Sequence, residues 1–369
     1  MKWSWRIGRI LGIDVFVHVT FVLLLAWVAG SYYLTRRDPR DAIAGVGFIV
    51  ILFAIVVLHE LGHALAARRF GIRTRDITLL PIGGVARLER MPEDPKQELV
   101  VALAGPAVNA VLAVVLAATM LVLGSPLLGE VELVGGDFLR KLLWINVMLA
   151  VFNMIPAFPM DGGRVLRALL ALRMDYTRAT QVAASIGQAL ALVFGFVGLF
   201  TNPFLVFIAL FVWMGAAGEA SMVQMRSSLA GIPVSRAMIT EFRSVTPAEP
   251  LRTAAQHVLA GFQHDFPVVE QSKVVGVLTR DDLLRAIATN GIDAPIGTVM
   301  RTGCDVADPS EMLETVLARL QGAPCRSLPV VRRGQLVGML TMENIGEFTM
   351  LQAAVRKARE AHVPAPRPV

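Results

Sequence analysis

The stretch Val56-Val57-Leu58-His59-Glu60-Leu61-Gly62-His63-Ala64 places an H-E-x-x-H motif inside an apolar run. On a helix, His59 and His63 lie one turn apart on the same face, so both imidazoles can reach one metal ion. Glu60 lies beside them, where its carboxylate could take a proton from metal-bound water. A glutamate and two histidines are costly to bury in such a run, and ionisable groups in a membrane segment are functional by default. The stretch therefore predicts a metal site on a buried helix.

The composition predicts a membrane protein with a soluble C-terminal part. Of the 369 residues, 55% are hydrophobic and only 17% are charged, which is too apolar for a soluble protein of this size. The apolar residues are concentrated before about Met222. The formal net charge of +6 does not indicate a nucleic-acid partner, because arginines that flank membrane spans set topology. Cys304 and Cys325 have no metal-ligand spacing, and they indicate a reducing compartment without a disulfide framework.

Uncharged runs predict six transmembrane helices in residues 1–222. The predicted spans cover residues 15–35, 42–67, 99–129 and 142–158, with two more inside 179–218 on either side of a turn at 201–203. Most basic residues fall in the segments that lie inside if the N-terminus is inside. We therefore expect a multi-pass protein of the cell membrane whose N-terminus and C-terminal part are both cytoplasmic.

A short β-hairpin is predicted between the second and third spans. Two strands, 76–80 and 85–88, flank a turn at 81–84 that contains Gly83 and Gly84. The hairpin would lie near the membrane surface, either as a plain connection or as an exposed edge that pairs with an extended substrate segment.

Three polar side chains in or beside the spans need an explanation. Asn109 follows Gly105-Pro106 in the third span and needs a hydrogen-bond partner, and we expect it to contact substrate together with the hairpin glycines. His18 is expected to pack between helices or at the membrane interface, with a role near the metal left open. Asp161 follows two prolines that end the fourth span, so we expect its carboxylate on irregular chain beside a cavity.

An internal repeat occupies the soluble part. Met238 and Met300, Pro247 and Pro309, Leu251 and Leu313, and Pro267 and Pro329 recur at one constant spacing. Each unit reads as a helix, two strands and a helix, and two such units bury their apolar strands against each other. The repeat resembles a tandem pair of CBS modules, and it predicts a linker at 223–233, modules at 234–291 and 292–350, and a C-terminal helix and disordered tail at 351–369.

The resemblance to CBS modules implies a nucleotide contact in the first unit. Gly276, Thr279 and Asp282 match the ribose-phosphate pattern for adenine nucleotides, whereas Asn344 replaces the aspartate in the second unit. Two alternatives stay open, a nucleotide sensor and a structural or homodimerising pair without ligand.

Residues 1–222 resemble the site-2 protease family (peptidase family M50), which are intramembrane zinc metalloproteases. They carry His59-Glu60-x-x-His63 in one span and Asn153-x-x-Pro156-x-x-Pro159-x-Asp161-Gly162 at the end of another, together with Gly105-Pro106-x-x-Asn109. A CBS pair at the C-terminus resembles one subgroup of these enzymes. The resemblance implies an α-helical membrane domain, one Zn²⁺ per chain and a substrate that is a single-span membrane protein, such as an anti-sigma factor or a signal-peptide remnant.

Chemistry supports this ligand set. A catalytic zinc usually has three protein ligands and a position for water, and Asp161 is the best third candidate beside the two histidines, ahead of Asp137 and Glu219. Glu60 would deprotonate the water, and Asn153 either donates to the oxyanion or ties down the end of the fourth span. Two other functions remain as alternatives, a CBS-gated transporter or channel and a catalytically silent membrane scaffold.

Overall fold

The computed structural model describes residues 3–81, 83–89, 91–92, 94–127, 137–261, 263–322, 325 and 327–361. The chain divides into two compact units, Met1–Val223 and Gln224–Val369, and each is described by itself. Most of the acidic loop at 124–137, and nearly all of the tail predicted to be disordered, lie outside the described residues.

Helices dominate the first unit. They are α1 (Val19–Arg36), α2 (Pro39–Arg69), α3 (Pro95–Val122), α4 (Phe138–Asn153), α5 (Asp161–Ala171), α6 (Tyr176–Phe200) and α7 (Pro203–Leu229), the last of which continues past the end of this unit at Val223. Aspartate side chains accept backbone N–H groups at several helix starts, which satisfies donors that have no partner within the helix. These N-caps are Asp38, Asp94, Asp137 and Asp175.

Four helices among the described residues, α2, α3, α6 and α7, are long and apolar enough to cross a membrane. The apolar part of α1, Val19–Leu34, is shorter, and α4 has only 16 residues. The prediction of a helical membrane domain is therefore supported, and the count of six spans stays a prediction. The predicted start of the first span at residue 15 is wrong, because Ile13–His18 is a strand whose alternate side chains are buried.

A four-stranded sheet packs against α2. Its strands are β1 (Ser4–Ile10), β2 (Ile13–His18), β3 (Thr74–Leu80) and β4 (Gly83–Leu88), in that spatial order, with β2 and β3 parallel and the other neighbours antiparallel. The inward side chains of β2 and β3 form one core with Phe53, Val57 and Leu61 of α2.

The predicted hairpin is thus part of a larger sheet, and its glycines lie elsewhere than expected. Gly83 pairs with Leu80 and Gly84 with Leu79, so both belong to β4 and not to the turn. The strand order leaves β4 at an edge of the sheet. Contact of the hairpin with the membrane surface stays a prediction.

The second unit contains two similar halves. The first comprises α8 (Leu251–Ala260), β5 (Phe266–Glu270), β6 (Lys273–Leu278) and α9 (Arg280–Asn290). The second comprises α10 (Leu313–Gly322), β7 (Ser327–Arg332), β8 (Gln335–Thr341) and α11 (Met342–Ala361).

The backbone of each half passes close to the other at equivalent glycines. A Cβ on Gly276 would lie 2.6 Å from the carbonyl oxygen of Arg301, and one on Gly338 would lie 2.9 Å from that of Ile239. Each of these carbonyls accepts a backbone hydrogen bond from the residue after the glycine, at 3.0 Å. The predicted repeat therefore corresponds to two halves that exchange the same contacts.

The two cysteines contradict the expectation of free thiols. Cys304 and Cys325 form a disulfide with their Cα atoms 5.8 Å apart, inside the usual range. The chain after Cys304 runs parallel to β7, with Ala307 beside Val330, and this pairing brings the two sulfurs together. Their separation of 21 residues carries no sign of that pairing, because it depends on how the chain before β7 folds back.

Candidate metal centre

The three predicted ligands converge although α2 and the start of α5 are distant in sequence. Nε2 of His59, Nε2 of His63 and Oδ2 of Asp161 lie 3.1 Å from one another. All three residues are buried, with exposures of 6%, 4% and 7%. Donor atoms about 2.0–2.1 Å from a tetrahedral zinc are roughly 3.3 Å apart, close to this spacing. The set fits one metal ion with a coordination position left for a further ligand, and it is the one such cluster within the described ranges.

Hydrogen bonds on the far side of each imidazole fix its orientation. His63 Nδ1 lies 2.7 Å from the carbonyl oxygen of Val101, and His59 Nδ1 lies 2.6 Å from Oδ1 of Asn109. A carbonyl oxygen can only accept, so the His63 proton is on Nδ1 and its Nε2 lone pair faces the cluster. Partners of this kind are typical of metal-ligating histidines.

The structure corrects the expected role of Asn109. Its side chain is fully buried, at 0% exposure, and both ends of its amide are used by His59 and Asn146. Asn109 is therefore not placed to contact a substrate. The sequence signal was correct in one respect, since an amide at this depth did need a partner.

Gly105 is a residue that the sequence argument undervalued. A Cβ at this position would lie 2.2 Å from Nε2 of His63 and 2.6 Å from Nε2 of His59. The next residue, Pro106, cannot donate to the carbonyl four residues back, and its ring disturbs the helical hydrogen bonding of this turn of α3. The Gly-Pro pair therefore opens space on α3 for the imidazoles.

Asp161 is the first residue of α5 and not part of the irregular chain before it. Residues 154–160 form turns that include a cis Phe158–Pro159 bond. The two following glycines fit α5 tightly against these turns. A Cβ on Gly162 would lie 2.3 Å from the carbonyl oxygen of Ile155, and one on Gly163 would lie 2.6 Å from the carbonyl carbon of Ala157.

A buried ion-pair cluster holds α5 at its middle. Arg167 has 0% exposure and donates to Glu98 of α3 through Nε at 2.8 Å, and it also donates to Glu219 of α7 at 2.5 Å. Its guanidinium lies about 5 Å from the ring centroids of Phe158 and Tyr176. Sequence reasoning missed this cluster and considered Glu219 only as a weak metal ligand. The signal available was an arginine and two glutamates in or beside largely apolar helices.

Glu60 faces the sheet edge. It is half-buried on α2, and a Cβ added to Gly84 of β4 would lie 3.0 Å from its Cγ. Because Gly84 has no side chain, the strand can lie directly beside the glutamate. The motif glutamate is therefore next to the open edge of the sheet.

The remaining predicted polar residues have separate positions. Asn153 ends α4 half-buried, and within the described part of the chain its side-chain amide has no hydrogen-bond partner. His18 caps α1 by accepting the backbone N–H of Thr20, and Asp137 caps α4. His18 thus has a helix-capping role, and Asp137 is occupied away from the histidines.

The predicted nucleotide contact in the first CBS module is occupied by the protein itself. Nε of Arg301 lies 2.5 Å from one carboxylate oxygen of Asp282, and Thr279 donates to the same carboxylate at 2.6 Å. The Arg301 guanidinium holds the pKa of Asp282 below its usual range, and the hydrogen bond from Thr279 adds to this effect.

An open cavity lies where the two modules meet, since residues of both modules line it. It has a volume of about 340 Å³ and is lined by Thr341 and Asn344, the counterparts of Thr279 and Asp282. Four carboxylates also line it, from Glu241, Asp265, Glu343 and Glu347. A phosphate would be repelled by this lining, so the location and the charge both differ from what the pattern at Thr279 and Asp282 predicted.

Apolar helices long enough to span a bilayer carry an H-E-x-x-H motif whose two histidines meet a buried aspartate, and these are the features of a membrane metalloprotease. Residues 47–194 match Peptidase family M50, and residues 234–289 and 296–348 match the CBS domain. A zinc metalloprotease of Methanocaldococcus jannaschii is 36% identical over 279 residues, which are 75% of this chain and 78% of that protein. The chain belongs to peptidase family M50, and it is a membrane metalloprotease with a CBS pair.

Two further proteins are each similar to a part of this chain. The solved structure of the site-2 protease from Methanocaldococcus jannaschii is 38% identical and covers 59% of this chain and 95% of that one, with a TM-score of 0.45. The CBS domain-containing protein YhcV of Bacillus subtilis is 28% identical over 114 residues, which are 30% of this chain and 81% of that protein. The expectation of an enzyme is confirmed by the family and by the name of the first relative, which favours it over the transporter alternative.

Proposed function

We propose that this protein hydrolyses a peptide bond within the transmembrane segment of a single-span membrane protein. The observation that carries the proposal is the convergence of His59, His63 and Asp161, with Glu60 beside them at an open sheet edge. In this proposal the first three side chains hold one Zn²⁺ and Glu60 is the general base.

The residues divide the chemistry between them. A zinc ion, when bound, supplies Lewis acidity that makes water nucleophilic at neutral pH. Glu60 takes the proton of the attacking water and then transfers it to the leaving amine. Asn153 is the proposed donor to the oxygen of the scissile carbonyl as negative charge develops there, and its amide is free of other partners within the described residues.

The substrate would bind by adding a strand to the sheet. Peptide bonds in a helix are shielded by their own hydrogen bonds, so a transmembrane segment must unwind before it can be cleaved. The edge of β4, at Gly83 and Gly84, has no further strand beside it among the described residues, and it lies next to Glu60. An extended segment paired there would present its carbonyl groups near the metal ligands.

The test replaces Glu60 by glutamine and compares the membrane proteins that accumulate. Glu60→Gln removes the base but keeps the shape, so folding and bound zinc should be retained while a trimmed single-span protein accumulates. Glu89→Gln, on the chain just after β4, is the matched control and should leave cleavage unchanged. Continued cleavage by Glu60→Gln would refute the mechanism, and a wild-type protein without zinc would favour the silent scaffold.

The CBS pair is proposed to be structural or dimerising, and to be cytoplasmic together with the N-terminus. The cavity at Thr341 and Asn344 is acidic, which argues against tight binding of an adenine nucleotide there. Thiol labelling in intact cells tests the location. Cys325 is fully buried, so the cells are lysed in a denaturant that contains a maleimide. If the pair is cytoplasmic, the disulfide of the structure is kept reduced in the cell and both thiols are labelled at once, whereas the disulfide form is labelled only after a reductant is added.

A further inference from the structure

Two amides lie fully buried behind the metal centre. Asn109 on α3 and Asn146 on α4 both have 0% exposure. Burying an amide is costly unless each of its polar ends is paired. These two amides are paired with each other, with the backbone carbonyl of Leu142 at one end and with Nδ1 of His59 at the other. The carbonyl can only accept, so the orientation of both amides can be worked out from it.

The direction of the hydrogen bonds follows from one backbone carbonyl. The carbonyl oxygen of Leu142 can only accept, so Asn146 must direct its Nδ2 donor toward it, at 2.8 Å. Oδ1 of Asn146 is then free to accept from Nδ2 of Asn109, at 3.3 Å. Oδ1 of Asn109 in turn lies 2.6 Å from Nδ1 of His59 and must accept a proton from it.

We infer that Asn146 is a positioning residue that fixes the tautomer of His59, and this inference rests on the proposed zinc site. With the proton on Nδ1, the Nε2 lone pair of His59 faces Asp161 and His63, as a metal ligand requires. If the Asn109 amide turned over, its NH₂ group would face Nδ1 and favour a proton on Nε2. That proton would point into the metal position.

The two histidines differ in how much support they need. His63 donates to the backbone carbonyl of Val101, which cannot change from acceptor to donor. His59 donates to an amide, which presents either an oxygen or an NH₂ group depending on a rotation of its side chain. Asn146 removes this ambiguity, because it supplies the acceptor that holds the NH₂ group of Asn109 away from His59.

A purely structural role for Asn146 makes a different prediction. In that case the side chain only joins α3 to α4, and its loss would lower stability regardless of what residue 109 is. If Asn146 acts through the orientation of Asn109, its effect on metal affinity should vanish when residue 109 cannot turn over. An aspartate at position 109 accepts through either oxygen and provides this condition.

The test measures zinc affinity of the full chain in detergent by competition with a chelator. Asn146→Leu is expected to weaken binding by about 10- to 100-fold, the range found for partners that orient metal ligands. Asn109→Asp keeps an acceptor toward Nδ1 of His59, but its second oxygen faces Oδ1 of Asn146 without a proton between them. Adding Asn146→Leu to Asn109→Asp removes this repulsion, so it is expected not to weaken zinc binding in that background.

An equal loss of affinity from Asn146→Leu in both backgrounds would overturn the inference, as would no loss in the wild-type background. If Asn146→Leu does not fold, Asn146→Ser and Asn146→Ala replace it. The serine hydroxyl can donate to the carbonyl four residues back and still accept, so it should retain affinity that alanine loses. Equal affinity of these two variants would also overturn the inference. Because the measurement needs no substrate, a failure of proteolysis in the wild type is recognised separately.

Discussion

Gly105→Ala is the sharpest test of the metal centre, because it adds one methyl group at a known place. The added Cβ would lie 2.2 Å from Nε2 of His63, and contacts under 3.0 Å are essentially never seen. The imidazole or the helix must therefore move by about 0.8 Å, whereas metal–ligand distances tolerate only about 0.2 Å. We expect zinc affinity to fall at least about 100-fold, which corresponds to about 2.7 kcal/mol.

The assay is the zinc content of the purified full chain after dialysis against a chelator, with a dissociation constant from competition. Gly47→Ala is the matched control, since Gly47 lies on the same helix as the histidines and an added Cβ would meet nothing within 4 Å. It should bind zinc like wild type, because alanine favours a helix over glycine. A Gly105→Ala protein that is folded and binds zinc within about threefold of wild type would refute the close approach of α3 to the two imidazoles.

Two further substitutions probe the ion pairs. Arg167→Met should lower the free energy of unfolding by about 3–5 kcal/mol, because it leaves Glu98 buried without its cation. Thermal unfolding of the detergent-solubilised chain measures the loss. Arg167→Lys should keep only part of the wild-type stability, since lysine cannot reproduce the planar guanidinium. Arg301→Ala should return the lowered pKa of Asp282 toward its ordinary value. A carboxyl group with a lowered pKa stabilises the fold above its unfolded pKa of about 4, and this contribution is lost as the pH falls. Wild type and Arg301→Ala should therefore differ in melting temperature at pH 7 and converge in acid. A difference in melting temperature that does not change with pH would contradict this.

Much of the membrane unit could be predicted because its signals are local. A two-histidine spacing on one helix face, long uncharged runs and a proline-rich break are all visible within short windows of sequence. The one wrong span start came from the same rule applied too broadly. Most of residues 13–18 are apolar, so they look like the beginning of the first span. In the structure, however, Asp14, Phe16 and His18 alternate with buried residues, which is the pattern of a strand.

What could not be predicted depends on contacts between distant helices. Nothing near Asn109 in the sequence indicates that Asn146 lies beside it, because their meeting depends on how α3 and α4 pack. The nucleotide-binding pattern in the first CBS module, where Arg301 occupies the aspartate, could not be predicted for the same reason. Thr279 and Asp282 match a binding motif, but whether Arg301 reaches them depends on the pairing of the two modules.

The three proposed zinc ligands are positioned by three different devices, and each device predicts a different kind of failure. His63 is held by the backbone carbonyl of Val101, so its tautomer does not depend on any other side chain. His59 is held by an amide whose polarity depends on a second amide, so a single side-chain substitution can alter its tautomer.

Asp161 depends instead on where α5 begins. The tight contacts of the two glycines after it fix the first turn of α5 against the preceding chain, and the Arg167 cluster fixes α5 farther along against α3 and α7. If loosening this cluster acts on zinc affinity mainly through the carboxylate, Arg167→Lys combined with Asn146→Leu should give additive losses. Losses that are less than additive would mean that the ligands are positioned as one unit.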